Sequence, residues 1–143
     1  MWYFGENAGV NFNTNPPTSL QDGAMDTPEG CATLTDGQGN LLMYTNGSVI
    51  FNRLHQQMPN GFGLWGDPSS FQSVTFVPQP GSDSLVYAFI VEDCDGSPQR
   101  FSYSIIDLTA DNGLPGPDIA GAKALLAEAG YPNGLTVKGT FMA

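Results

Sequence analysis

From residue 31 to residue 108, short apolar runs alternate with turn-forming residues at a spacing that fits β-strands. Cys31-Ala32-Thr33-Leu34-Thr35 runs into Asp36-Gly37-Gln38-Gly39-Asn40, where Gly and Asn supply positive φ angles, and continues as Leu41-Leu42-Met43-Tyr44-Thr45. Asn46-Gly47, the strongest short hairpin dipeptide, leads to Ser48-Val49-Ile50-Phe51, so three strands of an up-and-down meander are predicted. After the Pro/Gly-rich stretch 59–70, a second meander follows. Its strands are Ser73-Val74-Thr75-Phe76-Val77, then Leu85 to Val91, then Phe101 to Leu108. The last of these alternates apolar with polar residues over its first half, which places one face inward.

Two successive three-strand meanders predict a mainly β fold: antiparallel meanders resembling two β-propeller blades, although a β-sandwich shares most of these signals. Past Leu114 the texture changes. Pro115-Gly116-Pro117 breaks the pattern, Asp118 is a good N-cap, and Ile119 to Ala129 carries an apolar stripe that ends at Gly130, a C′ glycine. One C-terminal α-helix is therefore expected, then a final strand, Leu135 to Phe141. The resulting division is a β-rich propeller-like module at 1–114 and a helix–strand tail at 115–143 packed on it, within a single structural domain.

Composition agrees with a turn-rich β protein. The chain has 143 residues, 41% of them hydrophobic and only 13% charged, with 18 Gly and 11 Pro. Fourteen acidic residues against four basic ones give a net charge of -10, which leaves no basic surface for phosphates and argues against nucleic-acid partners. The same charge disfavours an anionic membrane surface. No apolar run approaches the roughly 20 residues of a spanning helix, so membrane insertion is not expected. Met1 is followed at once by Trp2-Tyr3-Phe4-Gly5, with no basic n-region of a secretory signal.

Candidate chemistry is sparse. The sole histidine, His55, stands among Asn52-Arg53-Leu54 and Gln56-Gln57 with no Gly-x-Ser-x-Gly elbow and no zinc motif, and reads as a hydrogen-bonded loop residue. No enzyme is expected. Glu92, Asp93 and Asp95 put three carboxylates within four residues, an oxygen-rich loop of the kind that suits calcium, although the EF-hand pattern is missing. Cys31 and Cys94 match no metal or redox spacing; they fit either a single disulfide or two buried thiols. Phe62 and Trp65 lie in Gly/Asn/Pro-rich segments outside the clear strands, where aromatic rings beside amides suit a glycan or a peptide.

Several segments, taken in order, carry a family resemblance. Trp2 to Asn13 (Trp-Tyr-Phe-Gly-Glu-Asn-Ala-Gly-Val-Asn-Phe-Asn), Glu29-Gly30-Cys31-Ala32, Asp36 to Thr45, Asn52 with His55 to Gly61, Gln72-Ser73 and Tyr103 to Leu108 are the matching pieces. Residues 2–114 resemble the N-terminal propeller-like region of Bacteroidetes gliding-motility-associated and type IX-secreted surface proteins. The resemblance implies an extracellular or cell-surface location and a role in scaffolding or adhesion, with no catalytic residues to carry over. Family members begin with a signal peptide and continue for several more blades, and a closed propeller needs at least about four. The segment from Ala122 to Leu135 is similar to a helix-turn of the solute-binding proteins of oligopeptide transporters. Together these readings predict a structural or adhesion module that forms a homo-oligomer or filament, with Leu135 to Phe141 or Trp2 to Phe12 completing a neighbour's sheet. A glycan- or peptide-binding module is the alternative.

Overall fold

The computed structural model describes residues 1–92 and 101–109, which form three antiparallel sheets and no helix. The predicted helix, the predicted final strand and the 115–143 tail lie outside the described residues. The first sheet is β1 (Trp2–Phe4), β2 (Ala8–Asn11) and β3 (Thr18–Leu20). The second is β4 (Ala32–Thr35), β5 (Leu41–Thr45), β6 (Val49–Asn52) and β7 (Gln57–Phe62). The third is β8 (Val74–Pro78), β9 (Leu85–Val91) and β10 (Phe101–Asp107). Each is a meander in chain order. The two predicted meanders are present, a third sheet precedes them, and the middle one has four strands where three were expected.

The fourth strand was hidden by its own sequence, Gln57-Met58-Pro59-Asn60-Gly61-Phe62. It lies at the edge of its sheet, so the N–H that Pro59 lacks breaks no interior ladder. Its register with β6 is irregular between Val49 and Phe51, and Asn60 takes a positive φ of 58°. Met58 and Gly61 nonetheless turn inward.

Side-chain turn chemistry fixes the hairpins. Asp36 Oδ1 accepts the N–H groups of Gln38 and Asn40 at 2.9 and 2.8 Å across the β4–β5 turn. Asn46 Oδ1 accepts those of Ser48 and Val49 at 3.0 Å, while Gly47 supplies a φ of 88°. Beyond this turn the backbone closely approaches another segment: Gly66 donates its N–H to Gly47 O at 3.1 Å, and a Cβ on Gly66 would lie 2.6 Å from that oxygen.

The sheets pack face to face in sequence, with β1 against β4 and β4 against β8, so their first strands lie side by side. A bulge decides which residues face which neighbour. Thr35 pairs with Leu41 but Leu34 with Met43, so Leu42 is an extra residue that resets the alternation. Leu41 and Tyr44 consequently join Tyr3 and Met25 in the core between the first and second sheets. Met43, Ile50 and Met58 join Val74, Val86, Ala88, Ile90 and Ile106 between the second and third.

The alternating strand β10 is oriented opposite to what its polarity suggests. Its inward residues are Ser102, Ser104 and Ile106, while Phe101, Tyr103 and Ile105 are 68%, 60% and 56% exposed. The pairing with β9 explains this. Ile90, Ala88 and Val86 of that strand fill the core opposite the serines and Ile106, and Phe89 and Tyr87 sit beside the outward aromatics.

Candidate functional site

Two features stand out among the described residues: a polar network at the seam of the first two sheets, and the aromatic outer face of the third. At the seam, Tyr3 from β1 stacks on Tyr44 from β5 with ring centroids 4.9 Å apart, and Tyr44 stacks in turn on Phe51 of β6 at 5.2 Å. The β6–β7 hairpin brings in His55. Asn52 Oδ1 accepts the N–H groups of Leu54 and Gln56, holding a turn in which His55 takes a φ of 60°. Its ring then tilts against Tyr3 at 5.1 Å and Tyr44 at 5.7 Å.

Hydrogen bonds order these rings. Tyr44 Oη accepts the Ala24 N–H at 2.9 Å and lies 3.0 Å from His55 Nδ1. The other imidazole nitrogen, Nε2, lies 3.6 Å from Asp22 Oδ2. Tyr3 Oη donates to Asp22 Oδ1 at 2.9 Å. Asp22 therefore receives both arms of the network.

Burial, the hydrogen bond to Asp22 and that residue's negative charge together push the Tyr3 phenol well above the ordinary tyrosine range. Burial chiefly, and the Asp22 charge, raise Tyr44 as well. Both phenols stay protonated at neutral pH, and Tyr44 is fully buried, so neither is a reachable nucleophile. A recess of about 280 Å³ borders the network, lined by Tyr3, Leu20 and Leu41 together with Asp22, Arg53 and His55. The arrangement can position groups and hold a small polar molecule. As the sequence led one to expect, His55 is a hydrogen-bonded loop residue, but the Asp22, Tyr3 and Tyr44 partners carry no sequence signature: they come from three separate segments and meet only through strand register.

The predicted site residues are dispersed. Trp65 borders a shallow recess of about 200 Å³ together with Leu64 and Tyr103, whereas Phe62, at the end of β7, is exposed and does not line it. Cys31 is a half-buried free thiol with Sγ 3.9 Å from Tyr3 O, and burial raises its pKa. Cys94, its proposed partner, lies outside the described residues. So do Asp93 and Asp95; Glu92, just past β9, is half-buried. Among the described residues no group of three or more His, Cys, Asp or Glu side chains is placed to hold a metal ion.

The outer face of the third sheet carries Tyr87, Phe89, Phe101 and Tyr103 as a contiguous ring cluster, with centroid separations of 5.7 to 6.2 Å. Val77 and Ile105 extend it. Of these, Phe101, Tyr103, Ile105 and Val77 are exposed, and a contiguous exposed apolar patch is a feature of contact sites. No family model matches the chain, and no curated protein or solved structure proved similar to it.

Proposed function

We propose that this chain is a non-enzymatic structural or adhesion module of the secreted or cell-surface kind, a run of propeller-like β-layers that works through apolar contact with further layers. The observation that carries the reading is the aromatic outer face of β8–β10. Each preceding sheet has its apolar face covered by the next sheet in the chain, and the outer face of β8–β10 has the same chemistry, with Phe101, Tyr103 and Ile105 exposed. Edge strands at the rim, β3, β7 and β10 among the described residues, offer a second mode by strand addition.

Beads coated with the protein test this reading. They are expected to clump in a turbidity assay, and beads coated with the Phe101→Ser/Tyr103→Ser variant are expected to stay dispersed. Failure of the wild-type beads to clump, or turnover of glycoside, ester or peptide substrates by the pure protein, overturns it.

A second reading, glycan or peptide binding, draws on Trp65 beside Tyr103. Glycan-array signal that disappears in Trp65→Ala supports it, and a blank array removes it.

A further inference from the structure

We infer that Asn60 is a site of spontaneous covalent modification: in the folded protein it deamidates against Gly61 to aspartate and isoaspartate, while Asn46, in the same dipeptide, is protected. Glycine follows asparagine at four places, of which Asn112-Gly113 and Asn133-Gly134 lie outside the described residues. The chemistry needs only the chain and water. The glycine backbone nitrogen attacks the asparagine Cγ, a new C–N bond closes a succinimide ring, and the side-chain amide leaves as ammonia, taking the proton that the nitrogen gives up. Water then opens the ring. Breaking the bond from nitrogen to Cγ gives aspartate, and breaking the bond from nitrogen to the α-carbonyl gives isoaspartate. Glycine favours the attack because no Cβ shields its nitrogen.

The fold separates the two described sites. At position 46 both reacting groups are engaged: Asn46 Oδ1 accepts the N–H groups of Ser48 and Val49, each at 3.0 Å, and Gly47 is buried with its N–H donating to Thr45 Oγ1 at 2.9 Å. The ring cannot close there until those bonds open. Position 60 has no such restraint. The Asn60 side chain is exposed, and its amide has no hydrogen-bond partner among the described residues. The β6–β7 register pairs Gln57 with Phe51 and Phe62 with Val49, which leaves Met58 to Gly61 outside the regular ladder.

The product changes a groove. Asn60 and Asp107 line one cavity of about 340 Å³ between β7 and β10, with Met58 and Ile106 among its apolar residues. Conversion sets a second carboxylate there and adds a negative charge to a chain already at -10. Isoaspartate also lengthens the main chain of β7 by one carbon. Charge on an edge strand opposes strand addition, so β7 loses with age the pairing edge it starts with.

Incubation of the whole protein at mildly alkaline pH, followed by digestion and mass spectrometry of the peptides, tests the assignment. Acid product at position 60 is expected to form at least about tenfold faster than at position 46, a barrier difference of about 1.4 kcal/mol. In guanidinium chloride both sites lose their surroundings, and the two rates are expected to converge. Equal rates in the folded protein, or faster conversion at position 46, overturn the inference. A preference for position 60 that persists undiminished in guanidinium chloride overturns it as well, since local sequence and not the fold then sets the order.

Discussion

Tyr44 Oη lies 3.0 Å from His55 Nδ1 while accepting the Ala24 N–H, so a single buried hydroxyl ties β5, the β6–β7 hairpin and the segment leading into β4. Replacing Tyr44 by Phe keeps both ring stacks but removes the oxygen, leaving the Ala24 N–H and His55 Nδ1 without that partner. Unmade hydrogen bonds of this kind cost about 1–3 kcal/mol. Urea denaturation of Tyr44→Phe is expected to show a loss of that order with little change in slope; an unaltered midpoint would show that the network contributes nothing to stability.

Raised phenol pKa values translate into a pH dependence of defined sign. Tyr3 and Tyr44 ionise less readily when folded than unfolded, so their contribution is fully present below about pH 10, the ordinary tyrosine value, and is lost as pH climbs toward the folded-state values. Stability measured between pH 8 and pH 11.5 is expected to fall along the upper part of that range, and Tyr3→Phe is expected to flatten the fall. The Cys31 thiol, also raised by burial, adds a decline beginning near about pH 8.5.

The carboxylates in the turns act in the opposite direction. Hydrogen bonds from Asn40, its side chain first, lower Asp36; those from Ser69 lower Asp67, and those from Thr109 lower Asp107. Their contribution is present above about pH 4 and is lost as pH falls through the lower folded-state values. An Asp36→Asn variant is expected to show a shallower acid limb in the same denaturation series.

Two isoleucines of the third sheet test which of its faces is core. Ile90 of β9 is 1% exposed and Ile105 of β10 is 56% exposed. Ile90→Ala is expected to cost about 2–5 kcal/mol through lost burial and a cavity, and Ile105→Ala less than about 1 kcal/mol in the dilute monomer. A reversal of the two in thermal or chemical unfolding would mean that the sheet is turned over.

Six strands of the fold are legible from residue pattern alone, because Asn46-Gly47, the Asp36 turn and the Pro78 to Asp83 turn punctuate apolar runs of strand length. Strand β7 is illegible for a local reason, since Pro59 and Gly61 suggest a loop unless the segment is known to lie at an edge. The orientation of the third sheet is hidden for a different reason. Leu85-Val86-Tyr87-Ala88-Phe89-Ile90-Val91 is apolar on both faces, so its period cannot say which side meets the core, and the small Val86-Ala88-Ile90 side fits the interior better than the aromatic one. That choice turns the serines of β10 inward. The network around His55 depends on register across three segments, and one-dimensional spacing holds no trace of it.

The contact between Gly47 and Gly66 has a consequence for how this sequence can vary. A Cβ on Gly66 would run into the Gly47 backbone, and one on Gly47 would meet Ser73 Oγ at 2.8 Å, Ser73 Cβ at 3.0 Å and Gly66 Cα at 3.1 Å. The two positions are therefore expected to drift through evolution as a coupled pair. Gly47 is held by its φ of 88° as well as by this crowding, so relatives that keep the length of the stretch between β7 and β8 are expected to keep both glycines, and a longer stretch is expected to free only position 66.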